Sequence, residues 1–219
     1  MTTAYPPSSR TTPSRLPDRV GYDRDTVHAV LDEALVCHVG FVVDGRPVVL
    51  PQLHARVDDV LYLHGSTGAR GMRAASGEGL DVCVTVTLLD GLVLSRSAFN
   101  HSMNYRSVVA LGRATVVDDA TEKAAALEAL VEAIVTGRSA ATRPPTRKEL
   151  AATTVLRLAL EEVSVKVRTG GPNDDDEDLG LPHWAGVLPL TTVPGVPDPA
   201  ADLAPGIAVP DHVRSWSRG

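Results

Sequence analysis

The chain has 219 residues, 43% of them hydrophobic and 22% charged, the composition of an ordinary globular core and long enough for one sizeable domain. A formal net charge of -6 leaves no cationic footprint for a nucleic-acid backbone, and no apolar run approaches the roughly 18 residues of a membrane-spanning helix. The opening stretch MTTAYPPSSRTTPSRLP has no hydrophobic segment of the secretion-signal kind, so a cytoplasmic protein is expected.

Residues 1–19 mix Pro, Ser, Thr and Arg without an apolar period, which predicts a mobile arm whose removal leaves folding unchanged. From Asp25 the residues Val27, Val30, Leu31, Ala34 and Leu35 recur at helical spacing, with Asp23 or Asp25 as cap. Then come CHVGFVV, Asp44-Gly45, RPVVLPQLHARV, Asp58-Asp59 and VLYLH, β-rich runs punctuated by turn pairs, the pattern of an antiparallel meander. Cys37 and Cys83 sit far apart in such apolar runs and read as buried strand thiols, not as a disulfide or a zinc site. LDVCVTVTLL, Asp90-Gly91 and LVLSRSAF predict a second hairpin, and YRSVVALGRATVV a long strand bent or bulged at Gly112.

Asp119-x-x-Glu122 opens a helix that ends near Gly137, and Thr146-x-x-Glu149 signals another. VLRLALEEVSVKVR alternates in two phases, as a single long strand with a bulge does. Asp174 to Asp178 reads as a solvated acidic run, and the six prolines from Pro189 to Pro210 predict a tail without regular structure that lies extended on something. Hairpins with helices inserted late argue for a mainly β protein, a closed or partly closed antiparallel barrel over residues 20–190, with 191–219 as the tail.

The sequence has no P-loop, no GxGxxG after a strand, no HExxH and no GxSxG. Two clusters remain. The loop from His64 through Gly65, Ser66, Thr67 and Arg70 to Arg73 offers amides, two hydroxyls, a helix start and two guanidinium groups, a combination suited to a phosphate; standing alone, such a loop is more often a plain strand-to-helix connection. The stretch from Ser95 to Ser107 packs Phe99, Met103 and Tyr105 among polar residues, as a ligand rim or as a solvated turn. His54 and His64 face each other if the turn at Asp58 is tight, but no third ligand joins them by sequence, and no metal is expected.

GRPVVLPQLHARVDDVLYLHGS, DVCVTVTLLDGLVLSRSAFNHSMNYRSVVALGRATVV, SVKVRTG and HWAGVLPL resemble the pyridoxamine 5'-phosphate oxidase-like family, the FMN-binding split β-barrels, in the branch near nitroimidazole-resistance proteins. The resemblance implies a homodimer with FMN at the subunit interface. It implies a phosphate held by Ser66, Thr67 and Arg70 beside His64 and Gly65, a flavin ring running along the backbone near Thr85 and Val86, and a pocket finished by Asn104, Tyr105 and Ser107. The chain closes PDHVRSWSRG, without the Arg-Leu-containing end of oxidases that act on pyridoxamine phosphate, which argues against that substrate. With no evident general base, activity rests on the flavin itself. Two functions follow: an FMN-dependent oxidoreductase moving electrons from a donor such as a nicotinamide to a small molecule, or a non-catalytic binder of flavin or haem, with His64 or His101 as the axial ligand. A deazaflavin in place of FMN fits the same residues.

Overall fold

Nine strands and five helices make up the computed structural model, which describes residues 3–15 and 19–217. After the short strand β1 (Val20–Gly21), helix α1 (Arg24–Glu33) starts where the Asp23 side chain accepts from Thr26 N–H at 2.8 Å. Strands β2 (Val36–Val43), β3 (Arg46–Val57) and β4 (Val60–Ser66) form the meander. Asp44 and Gly45 both take positive φ, the conformation a two-residue turn between twisted strands demands. Helix α2 (Arg70–Ala74) leads to two fifteen-residue strands, β5 (Leu80–Leu94) and β6 (Ser102–Val116). Helices α3 (Ala120–Ile134) and α4 (Arg147–Ala152) follow, then β7 (Thr153–Ala159), β8 (Glu162–Arg168), β9 (Gly186–Pro189) and α5 (Asp211–Arg214).

All pairings between these strands are antiparallel, in the order β1-β8-β6-β7-β4-β3-β2-β5-β9, with β6 also bonded to β5. Strand β3 serves two partners: residues 46–53 pair with β2 and 54–57 with β4. Strand β6 does the same, leaving β8 at Leu111 and joining β7 at Thr115. These two shared strands roll the sheet into a split barrel, and Gly112, where an added Cβ meets Leu158 at 2.9 Å, lies where β6 changes partner. The interior holds Val39, Phe41, Leu61, Leu63, Val84, Val86, Val108 and Leu158, with α1 closing one end.

Three expectations change. Strand β5 runs straight through Asp90-Gly91: the second hairpin is a bulge, because β6 and β9 both pair with Gly91 and hold the chain extended. The two-phase run 155–168 is two strands parted by a corner at Leu160–Glu161, so its phase shift marks a change of sheet. The N-terminal segment, as far as it is described, is docked: Tyr5 is 1% exposed, its hydroxyl donates to Asp59 at 2.8 Å and lies 2.9 Å from His28 Nε2, and Arg24 stands 4.1 Å over its ring. Residues 1, 2 and 16–18 of the expected arm lie outside the described residues. In the tail, α5 forms directly after Pro210, where a proline no longer obstructs the turn.

Candidate functional site

Alternation along the strands sorts the candidate residues onto two faces. Cross-strand register sets His38, Thr85, Val109 and Ser164 side by side on the outer face, with Thr87, Ser107 and Lys166 in the next row, followed by Leu89, Tyr105 and Arg168. Thr85, Tyr105 and Ser107 are therefore gathered on one surface. Val86 points into the core and offers only its backbone. That backbone is available: pairing with β2 stops at His38 opposite Thr85 and pairing with β9 starts at Gly91, so among the described residues no strand lies beside that edge of β5 from Val86 to Leu89. Open amides and carbonyls beside threonine and tyrosine suit the polar rim of a flat heteroaromatic ring.

Asn104 does not join them. It is buried on the opposite face, its Nδ2 donates to Gly170 O at 3.1 Å, and its Oδ1 accepts from Arg168, so the side chain fixes the turn after β8. The acidic run is likewise more than a solvated stretch. The Asp174 carboxylate is almost wholly enclosed and accepts from the Ser95 hydroxyl, from Arg96 N–H at 2.9 Å and from the Arg96 guanidinium at 2.5 Å, while Asn100 donates to Asp175. Hydrogen bonding from Ser95 and Arg96 holds the Asp174 carboxyl below its ordinary pKa. This staple sets the loop 95–101, from which Phe99 projects 92% exposed.

The phosphate loop is partly committed to its own shape. Thr67 N–H donates to Ala152 O, Gly68 N–H to Ser66 Oγ and Ala69 N–H to Ser66 O, which leaves the Ser66 and Thr67 hydroxyls and the guanidinium groups of Arg70 and Arg73 facing solvent. Gly65 packs closely on α2: a Cβ there meets Met72 Cε at 2.8 Å, so the methionine side chain would have to shift.

His54 and His64 do not face each other. The tight turn pairs His54 with Leu63, which puts the two rings on opposite faces. His54 is 2% exposed and its Nε2 donates to Leu31 O at 2.9 Å, pinning the end of α1. His64 stands on the outer side, at a cleft of about 870 Å³ between the barrel and helices α3 and α4. Leu53, Leu127, Val131, Leu150, Pro144 and Pro145 supply its apolar walls, and Arg143, clasped by Glu149 at 2.6 and 2.8 Å, stands at the same cleft. Among the described residues His64 Nδ1 is buried without a partner and no hydrogen bond engages Nε2, and burial depresses the ring's pKa, so a neutral imidazole stands at an apolar cleft. His101 is exposed, with Nδ1 2.9 Å from Ser97 O in the β5–β6 loop, apart from the cleft. Sequence reasoning singled out His64 but missed the cleft, because its walls come from helices some 60 to 90 residues downstream.

The chain is thus an antiparallel split barrel with an open strand edge on its outer face and a cleft at His64. The model of the Pyridoxamine 5'-phosphate oxidase family matches residues 23–167, and the chain belongs to that family. It is similar to the flavocytochrome Anf3 from Azotobacter vinelandii, with 40% identity over 98% of this chain and 100% of that one and a TM-score of 0.90. It is also similar to the FAD and haem binding protein from Mycobacterium smegmatis, with 42% identity over 90% and 96% of the two chains and a TM-score of 0.85. A candidate 5-nitroimidazole antibiotic resistance protein from Bacteroides thetaiotaomicron shares the fold at 22% identity, over 68% of this chain and 86% of that one, with a TM-score of 0.57. No curated protein is similar enough to the chain to match it.

Proposed function

We propose that this protein is a redox protein that binds a flavin and a haem together, the flavin on the outer face of β5 and β6 and the haem in the cleft at His64. The observation that carries the reading is the neutral, unpartnered imidazole of His64 at an apolar cleft of about 870 Å³. The printed names of the two relatives above 40% identity support it, since one is a flavocytochrome and the other binds FAD and haem. The second name favours FAD over the FMN expected from sequence. A flavin exchanges electrons singly or as hydride, and haem iron takes them one at a time.

The chain's residues have distinct parts in this reading. His64 would hold the haem iron through Nε2, whose lone pair is free at neutral pH because burial opposes protonation. The leucine, valine and proline walls exclude water, and Arg143 is the cation offered to an anionic edge. The open β5 backbone and Thr85, Tyr105 and Ser107 orient the flavin ring, while Ser66, Thr67 and Arg70 hold its phosphate. A homodimer covers the outer face, where Val36, Val42 and Val49 are exposed in a single copy.

The absorbance spectrum of the purified protein tests this. A Soret band together with flavin absorbance is expected, and His64→Ala abolishes the Soret band while flavin remains bound. A haem band unchanged in His64→Ala, or no haem uptake after incubation with haemin, refutes the cleft assignment. Heat release of the flavin followed by chromatography separates FAD from FMN. Anaerobic addition of a nicotinamide cofactor separates an enzyme, whose flavin bleaches at a catalytic rate, from a passive binder.

A further inference from the structure

The segment after β9 leaves the body of the protein and returns to nearly the same place. At its start Leu190 N–H donates to Asp90 O at 3.0 Å, and the Asp90 carboxylate accepts two bonds from Arg106. The same guanidinium holds Glu33. Glu33 in turn lines a pocket of about 360 Å³ whose other wall is Trp216, and Trp216 Nε1 donates to Ile134 O at 3.0 Å. Arg106 thus ties the departure of the segment to its landing.

Between these anchors the hydrogen bonds found among the described residues are local, Leu203 N–H to Ala200 O and Ile207 N–H to Ala204 O, with Val209 O accepting from Arg214 at 2.7 Å where the segment lands. Val193, Val196, Leu203 and Ile207 are all exposed, Val196 to 95%. A loop fastened at both ends that buries none of these aliphatic side chains leaves part of their burial to something outside the chain. Prolines 194, 197, 199 and 205 keep it extended, which lowers the entropy cost of docking.

A matching surface lies on the outer face of the β2–β3 hairpin. Val42 and Val49 are exposed there beside Pro47 and Pro51, and Arg46 makes no ion pair among the described residues. The loop carries Asp198 and Asp202 and no cation. We propose that residues 191–209 form an arm that crosses to a second copy of this chain and lies on its β2–β3 hairpin, the exchange being reciprocal about a two-fold axis. The inference rests on the homodimer reading and names the segment that closes it.

Sedimentation equilibrium of the full chain tests it. The unaltered protein is expected to be a dimer at micromolar concentration. Placing Asp at Val193, Val196, Leu203 and Ile207 together is expected to weaken that dimer by ~100-fold or more. The circular dichroism spectrum should not change, because none of the four is buried in its own chain. Val42→Asp with Val49→Asp is expected to do the same from the other side. Asp198→Arg with Asp202→Arg should weaken association, and adding Arg46→Glu should restore it. A hairpin variant that dissociates beside an arm variant that does not overturns the arm while leaving the dimer, and a charge reversal that Arg46→Glu fails to rescue overturns the hairpin as its seat. A monomeric unaltered protein overturns the dimer and the arm together.

Discussion

Replacing Tyr5 tests whether the N-terminal segment is part of the folded body. Its ring is enclosed among core residues, covered by Arg24, and its hydroxyl meets Asp59 and His28. Tyr5→Ala empties a buried aromatic site, which costs about 4 kcal/mol, and at this chain length that lowers the melting temperature by about 8 to 16 °C. Tyr5→Phe keeps the packing and removes only the hydroxyl. Asp59 retains Arg24 and His28, so the loss is about 1 kcal/mol. Burial, then the hydrogen bond and charge of Asp59, hold the Tyr5 phenol above its ordinary value of 10.0. Its stabilising contribution is therefore present below pH 10 and falls as pH rises beyond it, where the unfolded chain ionises first. Thermal melts of the three proteins at pH 7.5 and 10.5 read both effects. If Tyr5→Ala melts within about 2 °C of the unaltered protein, the segment is not docked in solution and the expectation of a mobile arm stands.

Two further outcomes follow from the same contacts. Burial depresses the pKa of His54, so its contribution is intact above 6.5 and is lost as pH falls below that value, where the unfolded chain takes up the proton; melting temperature should drop from pH 7 to 5, and His54→Gln should flatten the slope, whereas an identical slope in the variant contradicts the assignment. Asp174→Ala releases Ser95 and Arg96 together, so limited chymotrypsin digestion should cut at Phe99 faster than in the unaltered protein, and an unchanged rate rules out the staple.

The local chemistry of turns and caps was legible, and the tertiary decisions were not. Asp44-Gly45 and Asp90-Gly91 are the same pair of residues, yet one turns and the other stays extended, because only the second has neighbouring strands on both sides to hold it straight. The caps at Asp23, Asp119 and Thr146 form as their spacing predicts, since each bond spans three residues. Tyr5 gave no signal because one aromatic in a polar stretch has no period, and its partners lie 23 and 54 residues away. Asp174 looked solvated because what encloses it is 78 and 79 residues upstream. Of the candidate site, Thr85, Tyr105 and Ser107 share a face because strand alternation is a local rule. The cleft at His64 waits on helices that no local rule places there.

The order of pairing also governs how the chain fares on the ribosome. Strand β4 ends at Ser66, but the strand that covers its free edge, β7, begins at Thr153, and β1 waits for β8, which ends at Arg168. At about 5 to 20 residues per second, the emerging β2–β4 meander stands for several seconds or longer with a hydrogen-bonding edge open. Its apolar strands are the material of edge-to-edge aggregation. Slow translation or crowded synthesis should therefore harm the yield of soluble protein more than the stability of the finished barrel suggests.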